Sequence, residues 1–405
     1  MRLSVREFTV CTVLKIQSLL QKCFWMLNLK RKDSRLKFIF MAYEQISPMN
    51  MSHEDSNLSP EEIINKTCDL YSHRSTARIL LPIYYSLVLI IGLIGNILAL
   101  AVIHQNRRKM NSTTLYSINL VISDVLFATT LPTRIAYYAM GFHWPLGEPL
   151  CRITSLFFYI NTYAGVNFMT CLSIDRFFAV VHPYRYNKMR RVKFAKFVCI
   201  VVWLIVFSQT LPLLLQKMSN KEPDGKITCM EYPNFERIPN LPYMLLGACL
   251  IGYIIPLGII LICYMKISIK LCQTAKKNPL SEKTGTNKKA INTIILVIVM
   301  FCICFTPYHI SIIQHMIKKL SYTPDCSEQQ LFQISLHFTV CLMNLNCCLD
   351  PFIYFFACKG YKRKVMRILK RQHSISSSSA TRPAGDESSR DVVESQMMVH
   401  PVHFR

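Results

Sequence analysis

The sequence predicts an all-α membrane protein: a seven transmembrane helix bundle with a short amphipathic helix after the seventh span. Three observations carry that prediction. Seven apolar windows have spanning length, basic residues crowd into alternate connections, and four cysteines fall on the side that the charge leaves bare.

Crossing the hydrocarbon of a bilayer takes roughly 20 apolar residues. Ile79 to Ile103, Ile153 to Ile174, Phe197 to Leu215, Leu241 to Met265 and Ile291 to Ile313 contain no Asp, Glu, Lys or Arg. Leu115 to Ala139 holds Asp124 and Arg134, and Leu331 to Ala357 holds Asp350. Ten-residue alternating segments are absent from the sequence, which argues against a barrel.

A net charge of +24 on 405 residues would also fit a nucleic-acid binder, but its placement excludes that class. The connections after the first, third, fifth and seventh spans carry three, seven, seven and seven Lys and Arg. Those after the second, fourth and sixth carry none, four and two, so 24 basic residues face 6. By the positive-inside rule the carboxyl end is expected in the cytoplasm and the residues before the first span outside, in a multi-pass plasma-membrane protein. The basic side is also suited to anionic membrane lipid.

Of 17 cysteines, four fall in the expected exterior after Met41: Cys68, Cys151, Cys229 and Cys326. An even number there reads as two disulfides. The same side carries the glycosylation sequons at Asn50, Asn57 and Asn65. Asn111-Ser112-Thr113 fits the pattern too but faces the cytoplasm, so it is expected to stay bare.

Along the chain, residues 1–41 hold nine Lys and Arg and oppose the charge rule, so they read as a gene-model extension or an unstructured lead. An amphipathic segment on the membrane surface is the alternative. Residues 42–78 form a polar extracellular tail and 79–357 the bundle. Residues 358–371 alternate basic and apolar side chains, as a membrane-surface helix does; Cys358 at its start is a candidate for palmitoylation. Residues 372–405 read as a disordered cytoplasmic tail. Its Ser374, Ser376, Ser377, Ser378, Ser379 and Thr381 are candidate phosphorylation sites or a solvating linker.

Ionisable residues inside a span are costly and mark function by default. Asp124 and Asp350 lie within spans, with Asn96 and Asn346 able to meet them. They read as a packing network or as a switch between two arrangements. Pro256, Pro307 and Pro351 interrupt the fifth, sixth and seventh spans, where a proline removes a backbone bond and bends the helix. Asp175-Arg176 closes the third span, where Arg176 can reach water.

These residues carry a resemblance. Gly95-Asn96, Asn119 to Asp124, Cys151, Asp175-Arg176-Phe177, Trp203, Pro256, Cys304 to Pro307 and Asp350 to Tyr354 match in order the span signatures of rhodopsin-like (class A) G-protein-coupled receptors. The resemblance covers Cys68 to about Arg371. Pro132 to Tyr138, Tyr159 to Phe168 and Phe355 to Lys364 look more narrowly like the branch whose ligands are oxysterols of the 7α,25-dihydroxycholesterol type. It implies that Arg176 releases Asp175 to engage a G protein, with Tyr354 swinging toward it. Phe177 replaces the usual tyrosine. It implies disulfides Cys151–Cys229 and Cys68–Cys326, and a sodium ion at Asp124 with Asp350, Asn346 and Asn161, Gly165 standing where many relatives carry a hydroxyl. It further implies inhibitory heterotrimeric G proteins, receptor kinases and arrestin as partners, and immune-cell migration as the response.

Arg134 follows Asp124 by ten residues, about 15 Å along a helix, which places it in the outer half of its span. Tyr159 and Tyr163 share one helical face, and Tyr308 follows the Pro307 kink. Rings that cover hydrocarbon, with hydroxyls and a guanidinium to place a few polar atoms, suit a hydroxylated sterol. The resemblance makes Arg134, Tyr159, Tyr163 and Tyr308 ligand contacts; by residue type alone the tyrosines read more often as packing. No carboxylate partner for Arg134 is evident nearby in the sequence, so an anionic lipid or a peptide carboxylate also fits. A chemokine or peptide receptor of the same fold stays open, because the Cys68–Cys326 bridge occurs there too.

Rival classes fit less well. The chain shows no internal repeat of the transporter kind and no filter or charge ring of a channel. It shows no nucleophile–base pair or metal cluster: His182, His309, His315 and His337 are scattered, so an enzyme is not expected.

Overall fold

The computed structural model describes residues 68–105, 110–182, 191–235, 238–277 and 296–357, together with Met366. The lead segment, the three sequons at Asn50, Asn57 and Asn65, the surface helix with Cys358 and the serine cluster lie outside the described residues.

Seven helices are long and apolar enough to cross a membrane: Arg74–Gln105, Ser112–Ala139, Gly147–Val181, Val192–Leu215, Leu241–Leu271, Leu296–Ser321 and Cys326–Phe352. They are numbered here as the first to the seventh span. Their outward faces carry Ile79, Leu87, Ile94, Phe197, Leu204 and Phe338, all largely exposed. Their inward faces bury Asn96, Asp124, Asn161, Asn346 and Asp350. Apolar outside and polar inside suits lipid as the solvent, because a polar group facing hydrocarbon would go unbonded. The third span packs against the second, fourth and fifth, and the first against the seventh.

Local chemistry bends these helices where the site needs it. Asn111 caps the second span by accepting from the Thr114 N–H at 2.9 Å. That span breaks at Thr129 and Thr130, whose hydroxyls donate back to Leu126 O at 2.6 Å and Phe127 O at 2.7 Å. Pro132 then starts its last helical stretch, Leu131–Ala139, which aims Arg134 inward.

In the fifth and sixth spans a wide π-helical turn precedes each proline: Leu250–Ile254 before Pro256, and Phe301–Phe305 before Pro307. A proline offers no N–H to the turn behind it, and a widened turn accommodates the loss. Thr306 lends its hydroxyl to Phe301 O at 3.2 Å. The two wide turns are joined, since the Tyr253 hydroxyl donates to Thr306 Oγ1 at 2.8 Å and its ring stacks on His309 at 4.2 Å. The seventh span breaks at Leu345 and restarts as Asn346–Ala357 with Pro351 inside.

One element departs from an all-helical chain among the described residues. Between the fourth and fifth spans, β1 (Ser219–Lys221) pairs antiparallel with β2 (Ile227–Cys229), Ser219 opposite Cys229. Gly225 makes the turn with φ +81°, a conformation glycine adopts without steric cost. The hairpin is held at several points. Cys151–Cys229 is a disulfide, with Cα atoms 5.8 Å apart. Glu148 accepts from the Met218 and Ser219 N–H groups at 2.8 and 2.9 Å. Arg74 pairs with Asp224 at 2.6 Å. The second disulfide, Cys68–Cys326, ties the chain ahead of the first span to the start of the seventh. Both bridges sit at one end of the bundle, called the disulfide end below.

Candidate functional site

Below the hairpin, at the disulfide end, lies a cavity of about 250 Å³. That is near the lower bound of small-molecule sites, roughly 300–1,000 Å³, so it has room for one compact ligand rather than a folded partner. Arg134, Tyr159, Tyr163 and Tyr308 all line it, although they come from three spans. Tyr159 and Tyr163 stack with ring centres 6.4 Å apart, as their spacing predicts. The Tyr308 hydroxyl comes within hydrogen-bonding reach of Tyr159.

Tyr163 depends on a missing side chain across from it. A Cβ on Gly252, in the wide turn of the fifth span, would lie 2.6 Å from Tyr163 Cε1. Only glycine lets the phenol ring lie against that backbone.

Arg134 is buried, and two of its guanidinium donors are engaged. It donates to Tyr138 Oη at 3.1 Å and to Cys229 O at 3.4 Å, and lies 5.2 Å from the Tyr138 ring centre and 5.6 Å from that of Tyr137. A carboxylate that sequence spacing does not place near Arg134 nevertheless lies close by in the fold. Glu231 lines the same cavity, and the charges of Glu231 and Arg134 act on each other. In the sequence Glu231 is one of four acids in a long connection. What brings it inward is the Cys151–Cys229 bridge two residues earlier, which pins that connection over the third span.

Glu231 is itself fixed. Its Oε1 accepts from the Tyr137 hydroxyl at 3.0 Å, and its Oε2 from Gln333 Nε2 at 2.9 Å and His337 Nε2 at 3.1 Å. Burial alone would make the carboxyl a weaker acid, raising its pKa. His337, Arg134 and the Tyr137 hydroxyl outweigh burial and hold the carboxyl below its ordinary value, so it stays ionised. His73, just ahead of the first span, meets His337 with Nε2 and Nδ1 3.2 Å apart. Burial, and then the neighbouring His337, push His73 down to about 4, so it is neutral at physiological pH. Of the histidines scattered along the sequence, folding sets His337 against Glu231, with His73 behind it. Among the described residues no group of three or more His, Cys, Asp or Glu could hold a metal ion.

Residues 95–354 match the family described as 7 transmembrane receptor (rhodopsin family). The chain belongs to the rhodopsin family of seven-transmembrane receptors. It is similar to "G-protein coupled receptor 183" of Homo sapiens, 70% identical over 82% of this chain and 92% of that one. It is similar to the protein of that name from Salmo salar at 58% identity over 85% of this chain and 93% of the relative. A "G-protein coupled receptor homolog FPV206" of Fowlpox virus is 36% identical over 73% of this chain and 94% of the viral one. The receptor is therefore a multi-pass membrane protein of a family of receptors, not of enzymes.

Two further sites of the receptor lie deeper in the bundle. Midway, Asp124 Oδ1 accepts from Asn161 Nδ2 at 2.9 Å. Asp350 stands beside Asp124, and neither Asp124 Oδ2 nor either Asp350 oxygen accepts a hydrogen bond from the described residues. Asn346 Nδ2 is likewise without a hydrogen-bond partner among the described residues, while Asn96 is turned to Gly92 O and Cys347 O at 3.0 and 2.9 Å. A Cβ on Gly165 would come 3.1 Å from Asn346 Nδ2 and 3.3 Å from Phe305 Cζ, so the Phe305 ring and the amide fill that room. Trp203 donates to Asn119 Oδ1 at 2.8 Å, joining the fourth span to the second.

At the end opposite the disulfides, Asp175 is buried and doubly bonded. Ser112 Oγ donates to Asp175 Oδ1 at 2.5 Å and Thr113 Oγ1 to Asp175 Oδ2 at 2.6 Å. Both hydroxyls belong to the sequon expected to stay bare, and here they serve the first turn of a capped helix. Arg176 follows at the same end; the side chain of Tyr354 lies outside the described residues.

Proposed function

We propose that this receptor binds a hydroxylated cholesterol of the 7α,25-dihydroxycholesterol type in the cavity of Arg134, Tyr159, Tyr163 and Tyr308. The observation that carries the reading is the composition of that cavity. A small, mostly apolar space is ringed by phenols and closed by one engaged guanidinium, which suits a rigid hydrocarbon bearing a few hydroxyls. The narrow likeness of the sequence to oxysterol receptors supports it. A chemokine or peptide ligand is the second reading. The Cys68–Cys326 bridge favours it, while the hairpin over the cavity and the modest volume weigh against it.

The disulfide end then faces the outside of the plasma membrane and the carboxyl terminus the cytoplasm, as basic residues prefer, with Asn50, Asn57 and Asn65 glycosylated. Asp175, Arg176 and Tyr354 form the switch toward an inhibitory heterotrimeric G protein. The tail serines recruit arrestin once receptor kinases add charge, and the output directs immune-cell migration.

Asp124, Asp350, Asn161 and Asn346 fit a sodium ion, because two buried carboxyls side by side must share a proton or a cation. When bound, the ion supplies a positive charge that ties the second span to the seventh. The residues themselves hold the two spans in one of two arrangements.

Suppression of cyclic AMP by a panel of oxysterols and chemokines in transfected cells tests the reading. Arg134→Ala is expected to abolish the sterol response at normal surface expression. A full response in that variant refutes the contact, and a response to chemokines alone favours the second reading.

A further inference from the structure

Arg134 is the cation that would draw an anionic ligand into this cavity, and the receptor already supplies an anion beside it. Among the described residues, Glu231 is the one acid lining the cavity. It is nine-tenths buried or more, and three donors from two other spans aim at its oxygens: Tyr137, Gln333 and His337. Such a side chain does not swing away to make room for a ligand. Its neighbour Tyr137 is also bonded by the Cys229 N–H at 3.5 Å, and Cys229 O in turn receives Arg134. Acid and guanidinium are thus held in one hydrogen-bonded unit anchored by the disulfide. The guanidinium thus already has a negative charge close by within the protein, and a second carboxylate arriving there would meet like charge at a buried site, where repulsion is weakly screened.

We propose that Glu231 is a specificity-determining residue that acts as the built-in counter-anion of Arg134, so the cavity admits neutral hydroxylated ligands and rejects those bearing a carboxylate. The inference rests on the sterol reading above and deepens it. A sterol hydroxyl can donate to one member of the pair and accept from the other. A sterol acid can only accept, and it brings a charge that the site does not need. Calling Arg134 an anion receptor, from its residue type alone, overlooks this compensation.

The test uses the full-length receptor in cells, with surface copies counted by antibody. Responses are measured to neutral 7α,25-dihydroxycholesterol and to 3β-hydroxy-5-cholestenoic acid, a sterol carboxylate. In the wild type the acid is expected to be the weaker agonist by a wide margin. Glu231→Gln, which keeps the shape and removes the charge, is expected to narrow the potency ratio about ten- to hundredfold, the worth of one charge-assisted hydrogen bond. Glu231→Asp, which restores the charge, is expected to restore the ratio. A merely structural role would weaken both ligands alike and leave the ratio unmoved. Should Glu231→Gln not reach the surface, the smaller uncharged Glu231→Ser gives the same comparison. A wild type that answers the neutral sterol, with both uncharged variants keeping the full ratio, overturns the inference alone. A wild type that answers neither sterol overturns the sterol reading and the inference with it.

Discussion

Three glycines on the fifth span allow a matched test of how tightly the cavity wall is built. Gly252 faces Tyr163, and a methyl group placed on it would approach the ring to 2.6 Å at Cε1 and 3.1 Å at Cδ1. Carbon atoms rest about 3.5–4.0 Å apart, so the ring must retreat by roughly 1 Å. Behind it stands Tyr159, stacked and fixed on the same helix, so the open direction is into the cavity. Overpacking of this kind costs about 1–3 kcal/mol. Where the retreating ring takes up ligand space, that cost appears as a loss of affinity of about 5- to 150-fold. Gly247 and Gly258 lie on the same span with nothing within 4 Å of a Cβ. There alanine should be neutral or should stabilise by up to about 1 kcal/mol, the helix penalty of glycine. The assay is a concentration–response curve for cyclic-AMP suppression with 7α,25-dihydroxycholesterol, together with the apparent melting temperature of detergent-solubilised receptor. Gly252→Ala should shift the curve to higher concentration, and Gly247→Ala and Gly258→Ala should not. An unshifted Gly252→Ala, or an equal loss in all three, refutes the reasoning, because the contact with Tyr163 would then decide nothing.

Two other predictions follow from the ends of the bundle. Thr113→Val removes one of two hydroxyls on buried Asp175 without changing shape. A bond to a charged group contributes about 1.5 kcal/mol or more, so if it restrains the resting arrangement, basal nucleotide exchange on added G protein should rise about tenfold. Unchanged exchange in both Thr113→Val and Ser112→Ala rules that restraint out. At the other end, His73 is held at about 4 against an ordinary value of 6.5. The unfolded chain therefore takes up a proton, between pH 6.5 and 4, that the folded receptor refuses. Stability is complete above that window and falls as the pH drops through it, by about 1 kcal/mol at pH 5.5. Glu231, held low, stays ionised in the fold and loses its contribution in the same direction, only further into acid. The apparent melting temperature should thus fall from pH 7 to 5.5, and His73→Gln should flatten that slope; an equal slope in the variant refutes the assignment.

Much of this was legible in the sequence because the signals are local or additive. Apolar runs announce spans, since each stretch must satisfy the bilayer by itself, and the prolines at 256, 307 and 351 announce bends, since each removes its own N–H. Arg134 stood out because a buried guanidinium has few ways to be at ease, whereas the three tyrosines were identifiable as ligand contacts only through the family resemblance, since by type alone they read as packing. Their convergence on one cavity was not legible, because it depends on how three helices are rotated and bent. Glu231 was invisible for a related reason. Its role comes from a disulfide that draws a hairpin over the bundle and from Tyr137, Gln333 and His337, which lie roughly 95 to 105 residues away. Ser112 and Thr113 resembled a sequon until the fold set them against Asp175. By itself the sequence determined the number and order of the spans and the bends at its three prolines, because these follow from the solvation and backbone chemistry of each segment. Only the tertiary structure decided which charge answers which, because buried charges are settled by whatever neighbours folding brings within reach.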